Sequence, residues 1–245
     1  MLSSDNVPLL MLPGTLADER VFTPVLERLG LTGLTIGMAG ASSTADMAAA
    51  VLARAPERFA LMGFSLGAIV TLEVLAQAPG RIDRVALLGC NARSLTPEKA
   101  AARRATVPVA ERSGTPSYID GVWDASVPRH RRGDDEFRAL LHAMAADTPM
   151  PVFREQIEMA IQRVDSRPRL AAIDMPALVA CGAEDQVSPP ELSTEIAHAI
   201  PGATLAIVAG AGHYLTLDQP DEVARLVGDW LTQPTRTTQV PKEFP

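Results

Sequence analysis

Short apolar segments alternate with amphipathic helical patterns along most of the chain, and this alternation constrains the fold more than any other feature. Segments with the length and composition of strands occupy residues 7–12, 34–36, 59–64, 81–90, 175–182 and 203–208. Apolar runs of this kind are typical of strands that are covered on both faces, as in parallel sheets. We therefore predict an α/β protein, with a mostly parallel twisted sheet and helices on both of its faces.

The alternation stops between residues 92 and 164. This stretch contains several helical patterns broken by prolines and no convincing strand, so we predict a helical cap insertion over the carboxyl edge of the sheet. Residues 1–91 and 165–232 would then form the core, because 245 residues suit one well-buried core better than two. Residues 233–245 are polar and contain prolines, which predicts a flexible C-terminal tail.

Composition argues against several classes of partner. The net charge of −7 disfavours nucleic acid and anionic membrane surfaces. The chain shows neither a secretory leader pattern nor a run of apolar residues long enough to span a bilayer, so a cytoplasmic location is expected. The two cysteines and four histidines lack the spacing of metal ligands, and no phosphate loop or dinucleotide fingerprint occurs. We predict no metal and no cofactor.

The stretch after the third predicted strand carries the first candidate for chemistry. Gly63, Ser65 and Gly67 form a Gly-x-Ser-x-Gly pattern at a strand-to-helix turn, which is typical of a nucleophile elbow. Such a turn strains the serine backbone and brings its flanking positions close to other atoms, so only glycine fits there. The same five residues also fit an ordinary Gly-Ser turn, so the interpretation depends on the rest of the site.

A serine hydroxyl needs a base within hydrogen-bond reach, and one of the four histidines is placed to supply it. His142 and His198 fall on helical patterns, where a solvated face explains them, and His130 lies in a basic segment that could contact substrate or water. His213 follows the last predicted strand directly, so its loop would reach the same sheet edge as Ser65. We interpret His213 as the base.

The acid that orients this histidine should follow another strand. Asp185 comes after the penultimate strand, with Glu184 as its neighbouring competitor. The strand after the elbow helix ends in residues 89–91 without a carboxylate, which favours Asp185. Asp218 is assigned to the start of the last helix. The resulting order of serine, acid and histidine is the one that accompanies this type of elbow.

These three motifs together make the chain resemble the α/β-hydrolase fold superfamily, in particular its small, capped, serine esterase-like and lactonase-like members, over almost the whole length. The resemblance implies an oxyanion hole made of the backbone N–H groups of Thr15 and Leu66. Many relatives carry His-Gly where this chain has Pro13 and Gly14. That difference removes a side-chain anchor for the loop that presents Thr15.

The resemblance implies a serine hydrolase that cleaves a small carboxylic ester or lactone through an acyl-enzyme, with no cofactor and a small molecule as its partner. Thioesters and the carbon-carbon bonds of vinylogous diketones stay open as substrates within this class. A lyase or cofactor-free oxygenase on the same fold and a non-catalytic ligand-binding protein are the alternatives. The sequence does not define the oligomeric state.

Residues of the predicted cap should select the substrate. Apolar side chains that could line a pocket, or could instead pack the cap against the core, are Trp123, Tyr118, Phe153, Met144, Phe137 and Met159. Three arginines could bind a substrate carboxylate or could lie solvated on a loop, namely Arg129, Arg131 and Arg132.

Overall fold

A computed structural model of the chain describes residues 7–235. Within that range the sheet consists of β1 (Leu9–Leu12), β2 (Leu34–Thr35), β3 (Phe59–Phe64), β4 (Ile82–Leu88), β5 (Ala177–Gly182) and β6 (Thr204–Val208). All paired strands are parallel, and they lie in the order β2-β1-β3-β4-β5-β6. The predicted parallel sheet is thereby confirmed. Residues 236–245, which make up most of the predicted tail, lie outside the described residues.

Helices cover both faces of this sheet. They are α1 (Thr23–Leu29), α2 (Thr44–Arg54), α3 (Leu66–Gln77), α4 (Pro97–Arg104), α5 (Thr106–Ser113), α6 (Pro116–Ser126), α7 (Asp135–Ala146), α8 (Met150–Gln162), α9 (Pro190–Ala199), α10 (Leu215–Asp218) and α11 (Pro220–Thr232). The helices α1 and α11 pack on one face, and α2, α3 and α9 pack on the other. In the part of the chain described, no helix combines the length and the apolarity that crossing a bilayer requires.

Strand β3 shows why its sequence is apolar without interruption. Its side chains alternate between the faces of the sheet. Ala60, Met62 and Phe64 belong to the buried cluster that contains α1 and α11, whereas Phe59 and Leu61 belong to the cluster that contains α2, α3 and α9. Because every residue of the strand is buried, polar side chains would be unfavourable on either face of the sheet.

The helices α4 to α8 lie between β4 and β5, in the stretch predicted as a cap. Their apolar residues, among them Ile119, Phe137 and Phe153, are buried in the same cluster as α1 and α11. Helix α8 also contacts α2 and α3. This helical layer is therefore packed firmly onto the core, and we retain 92–164 as its proposed bounds.

The turn between β3 and α3 has the strained geometry that its sequence predicts. Ser65 has a φ of 53°, which is unfavourable for a residue with a side chain. A Cβ atom at Gly67 would lie 2.0 Å from the carbonyl oxygen of Leu12, and one at Gly63 would lie 2.6 Å from the Cα of Ala68. Both positions therefore require glycine, because the β1 end, the turn and α3 approach each other through backbone atoms.

Candidate active site

Ser65, Asp185 and His213 meet at the carboxyl edge of the sheet. Ser65 follows β3, Asp185 follows β5 and His213 follows β6. Since these strands are parallel, the loops after them emerge on the same side. The topology thus brings together three residues that are separated by up to 148 positions in the sequence.

The three side chains form a continuous hydrogen-bonded chain. His213 Nε2 lies 2.8 Å from Ser65 Oγ, and His213 Nδ1 lies 2.8 Å from Asp185 Oδ2. A carboxylate can only accept hydrogen bonds, so Nδ1 carries a proton and Nε2 is left to accept the Ser65 hydroxyl. The imidazole and the carboxylate are almost completely buried, which strengthens their interaction. This arrangement can withdraw a proton from the serine.

Backbone groups of its own loop orient Asp185. Its Oδ1 accepts hydrogen bonds from the N–H groups of Val187 and Ser188, each at 2.8 Å, which leaves Oδ2 for His213. The competing Glu184 accepts a hydrogen bond from the backbone N–H of Arg129 instead. The structure therefore brings Asp185, and not Glu184, to the histidine.

The His213 loop is attached to the cap as well as to the sheet. The His213 N–H donates to the carbonyl of Ser126, at the end of α6, over 2.7 Å. The preceding Gly212 N–H donates to Asp218 Oδ2 over 2.9 Å, and Asp218 Oδ1 pairs with Arg131 at 3.0 Å. Asp218 was expected to support the last helix, and this is corrected: its buried carboxylate binds the histidine loop to the cap.

Burial raises the pKa of Asp218 from 3.8 to about 6, because the lost hydration outweighs the Gly212 N–H and Arg131. Between about pH 4 and 6 the folded protein thus holds a proton that the unfolded chain has released. This contribution to stability is present below pH 4 and is lost as the pH rises through 6. We expect the free energy of unfolding of Asp218→Asn, minus that of the wild type, to increase by roughly 2–3 kcal/mol from pH 4 to 7.5.

Urea unfolding at several pH values measures this difference. The exposed Asp229→Asn on α11 is the matched control for loss of one carboxylate. A difference between Asp218→Asn and the wild type that does not change with pH would contradict the assignment.

Thr15 and Leu66 lie in the cavity wall beside Ser65. Leu66 is the first residue of α3, where a backbone N–H has no acceptor within the helix. On the other side, the loop after β1 approaches so closely that a Cβ at Gly14 would lie 3.1 Å from Ser65 Cβ. This placement is compatible with the expected oxyanion hole.

A side chain from the cap holds the Thr15 loop. Leu16 has a φ of 55°, and its N–H donates to Gln156 Oε1 of α8 over 2.9 Å. The amide nitrogen of Gln156 in turn donates to the carbonyl of Met38 over 3.1 Å. Gln156 is buried and supplies a side-chain anchor in place of the one that the Pro13 position lacks. Sequence reasoning missed it because nothing in α8 distinguishes this glutamine from a surface residue.

Two cavities adjoin Ser65. The larger, about 360 Å³, extends between the cap helix α4 and the loop after β5. The smaller, about 40 Å³, has His213, Phe64 and Tyr214 in its wall. Ser65 contributes to both walls, so its hydroxyl lies where the two cavities meet.

Of the six apolar residues that could line a pocket, the structure places one in the walls of these cavities, and Met159 is buried in the cluster that contains α2, α3 and α9. Tyr118 contributes to both walls. The expectation is corrected for the others, which pack inside the cap: Phe153 against Tyr118, Trp123 against Phe137 and under Arg138, and Met144 in the same buried cluster. Their apolar surface stabilises the cap instead of contacting a ligand.

The three arginines that could bind a carboxylate or could lie solvated on a loop, Arg129, Arg131 and Arg132, also lie outside both cavity walls. Arg131 is occupied by Asp134 and Asp218, and its guanidinium lies 3.7 Å from the centre of the Phe137 ring. Arg132 donates to the carbonyls of Val127 and Asp124. The cations in the cavity wall are Lys99, Arg103 and Arg163, which sequence reasoning did not single out. Between residues 7 and 235, no group of three or more His, Cys, Asp or Glu side chains is arranged to hold a metal ion.

Comparisons with known proteins identify the family of the chain. The sequence model described as "Alpha/beta hydrolase family" matches residues 9–226. The biotin biosynthesis bifunctional protein BioHC of Cellvibrio japonicus is 24% identical over 239 residues, which cover 91% of this chain and 47% of that protein. A pimeloyl-[acyl-carrier protein] methyl ester esterase of Neisseria meningitidis is 25% identical over 176 residues, which cover 70% of this chain and 68% of that protein.

A solved structure shows the same fold. The enol-lactonase from Burkholderia xenovorans LB400 superimposes with a TM-score of 0.80 at 24% identity, and the match covers 93% of this chain and 92% of that chain. The chain spans about half the length of the bifunctional relative from Cellvibrio japonicus.

Proposed function

This chain belongs to the alpha/beta hydrolase family, and from that premise we propose that it is a serine hydrolase that cleaves a small carboxylic ester or lactone through an acyl-enzyme. The observation that carries the proposal is the chain of two 2.8 Å hydrogen bonds from Ser65 through His213 to Asp185. A serine on a strained turn, a base and an orienting acid are the components of nucleophilic acyl transfer.

In the first half-reaction, Ser65 Oγ attacks the carbonyl carbon of the ester while its proton moves to His213 Nε2. The oxygen of the carbonyl becomes an oxyanion, which would accept hydrogen bonds from the N–H groups of Thr15 and Leu66. Asp185 stabilises the imidazolium that forms. The bond from carbon to the alcohol oxygen then breaks, and His213 Nε2 returns the proton to the departing alcohol.

In the second half-reaction, water replaces the alcohol. His213 Nε2 takes a proton from the water as its oxygen attacks the acyl carbon, and the same oxyanion position is used again. The bond to Ser65 Oγ breaks, and His213 protonates this oxygen to regenerate the serine. The products are a carboxylic acid and an alcohol, or a hydroxy acid where the substrate is a lactone.

The similarity to proteins named as a methyl ester esterase and an enol-lactonase supports ester and lactone substrates. The dimensions of the site support a small one, since the larger cavity beside Ser65 measures about 360 Å³. These two observations concern the substrate class. The mechanism depends on the hydrogen bonds that connect Ser65, His213 and Asp185.

Hydrolysis of a panel of p-nitrophenyl esters and small lactones by the pure protein, run in ¹⁸O-labelled water, tests the proposal. We expect turnover of short acyl esters with one solvent oxygen incorporated into the acid product. Acid product without the label would indicate lyase or oxygenase chemistry. A protein that binds these compounds without turning any of them over would be a ligand-binding member of the family.

A further inference from the structure

The wall of the larger cavity is positively charged. It contains Lys99, which is exposed, Arg103, which is half-buried, and Arg163, which is 6% exposed, and the described part of the chain contributes no aspartate or glutamate to it. The chain as a whole has 29 acidic and 22 basic residues, so composition does not explain a cavity with cations only. The three positive groups extend from the solvent side of the cavity into its interior.

Arg163 is the most buried of the three cations, so its charge loses the most hydration on folding. Its Nε donates to the carbonyl of Arg93 over 2.9 Å. Burial, and secondarily the positive charge of Arg103, lower the pKa of Arg163 to about 10, and Cys90 acts in the opposite direction; none of the groups between residues 7 and 235 that act on this pKa is a carboxylate. A buried charge without an opposite charge is strongly unfavourable. The site is therefore energetically incomplete without an anion.

Arginines near the cavity but directed away from it are paired. Arg104, next to Arg103 on α4, forms a two-fold hydrogen bond with Glu158, and Arg93 forms one with Glu195. Lys99 and Arg103, in contrast, lie four positions apart on α4, where like charges destabilise a helix. Arg93 and Arg104 are thus neutralised by carboxylates of this chain, whereas Arg103 contacts the hydroxyl of Tyr118, a neutral group.

The position of His213 indicates which part of a substrate carries that anion. The departing alcohol must receive its proton from His213 Nε2, and His213 lies in the wall of the smaller cavity and not of the larger. The alcohol would therefore occupy about 40 Å³, room for a small group. The acyl part is directed into the larger cavity, towards Lys99 and Arg163, whereas Arg103 contributes to the walls of both cavities.

We propose that the substrate is an ester of a small alcohol whose acyl part ends in a free carboxylate, held by Arg163 and Arg103 with Lys99 nearer to solvent. This inference rests on the proposed hydrolase function and names its substrate class. A guanidinium binds a carboxylate through two parallel hydrogen bonds, and Arg163 already has a fixed orientation through Arg93. The carboxylate would supply the opposite charge that the cavity lacks.

The test compares kcat/KM for the monomethyl esters of succinate, glutarate and adipate with that for the corresponding dimethyl esters, which lack the charge. We expect kcat/KM of the best monomethyl ester to exceed that of its dimethyl ester at least about tenfold. Arg163→Gln should lower kcat/KM of this monomethyl ester roughly 10- to 100-fold and should have little effect on the dimethyl ester. Arg103→Gln, which replaces a less buried residue, should reduce the preference in the same direction and serves where Arg163→Gln does not fold. Arg112→Gln, an exposed arginine on α5, is the matched control and should retain it.

Calorimetry separates this inference from the proposed function. Ser65→Ala should bind the preferred monomethyl ester, and the double variant with Arg163→Gln should bind it at least about tenfold more weakly. If Arg163→Gln weakens binding in this way but the wild type does not turn the ester over, the result would overturn the hydrolase function and support the anion site. Equal kcat/KM for charged and neutral esters would overturn the anion site and leave the hydrolase intact. Equal binding of the monomethyl ester by Ser65→Ala and by the double variant would also overturn the anion site.

Discussion

Ser65→Ala is expected to lower kcat for ester hydrolysis by about 10⁶-fold, because serine and histidine of such a group act as a unit and removal of either abolishes its contribution. Ser65 Oγ lies 2.8 Å from His213 Nε2. Among the described residues it is the only hydrogen-bond partner of that nitrogen. The variant keeps Thr15, Leu66 and the cavity, so a small residual rate should persist.

The change should leave the fold intact. Alanine carries the same Cβ as serine, so the strained turn at φ 53° is no less accessible to it. Circular dichroism and thermal unfolding should therefore match the wild type, and Ser113→Ala at the exposed end of α5 should retain full activity as the matched control. A folded Ser65→Ala with undiminished esterase activity would exclude Ser65 as the nucleophile.

Asp185→Asn is expected to lower kcat by about 10⁴-fold, because the amide imposes the wrong histidine tautomer. Two N–H donors, from Val187 and Ser188, contact Oδ1, so this position must remain an oxygen. The amide NH₂ is then directed at His213 Nδ1, which has to accept a hydrogen bond. The ring proton moves to Nε2, and Nε2 can no longer accept the Ser65 proton.

The neighbouring carboxylate provides the control. Glu184→Gln removes one negative charge from the same loop without touching His213, since Glu184 contacts the backbone of Arg129. We expect it to keep kcat within about threefold, which corresponds to less than 1 kcal/mol. Steady-state kinetics on one ester measures both variants. Equal losses in the two would show that Asp185 acts only through the charge of the loop.

The parts of the site that follow strands could be predicted from the sequence. Ser65, Asp185 and His213 lie one, three and five residues after the ends of β3, β5 and β6, and parallel strands end at one edge of a sheet. The pattern of apolar strands in the sequence therefore sufficed to place all three residues at the same edge of the sheet. The glycines at 63 and 67 were equally predictable, because the turn excludes a side chain there.

The parts that depend on tertiary contacts could not be predicted. Gln156 holds the backbone of a loop 140 positions away, and Asp218 pairs with Arg131, 87 positions away. Neither residue has a local sequence signal for these contacts. The cations of the cavity were missed for a related reason: the basic run near Arg131 is conspicuous in sequence, but Arg131 is neutralised by the neighbouring Asp134 and by Asp218, which the fold brings close. Arg163 is isolated in sequence, and only its burial reveals it.

Labelling with a fluorophosphonate, followed by peptide mapping, tests most directly whether the hydroxyl at the junction of the two cavities is the group that attacks. One equivalent of the reagent should attach to the peptide that contains Ser65, and ester hydrolysis should disappear in proportion to the labelled fraction. Full hydrolytic activity in protein that is completely labelled, or a label found on another residue when activity is lost, would contradict the proposed mechanism.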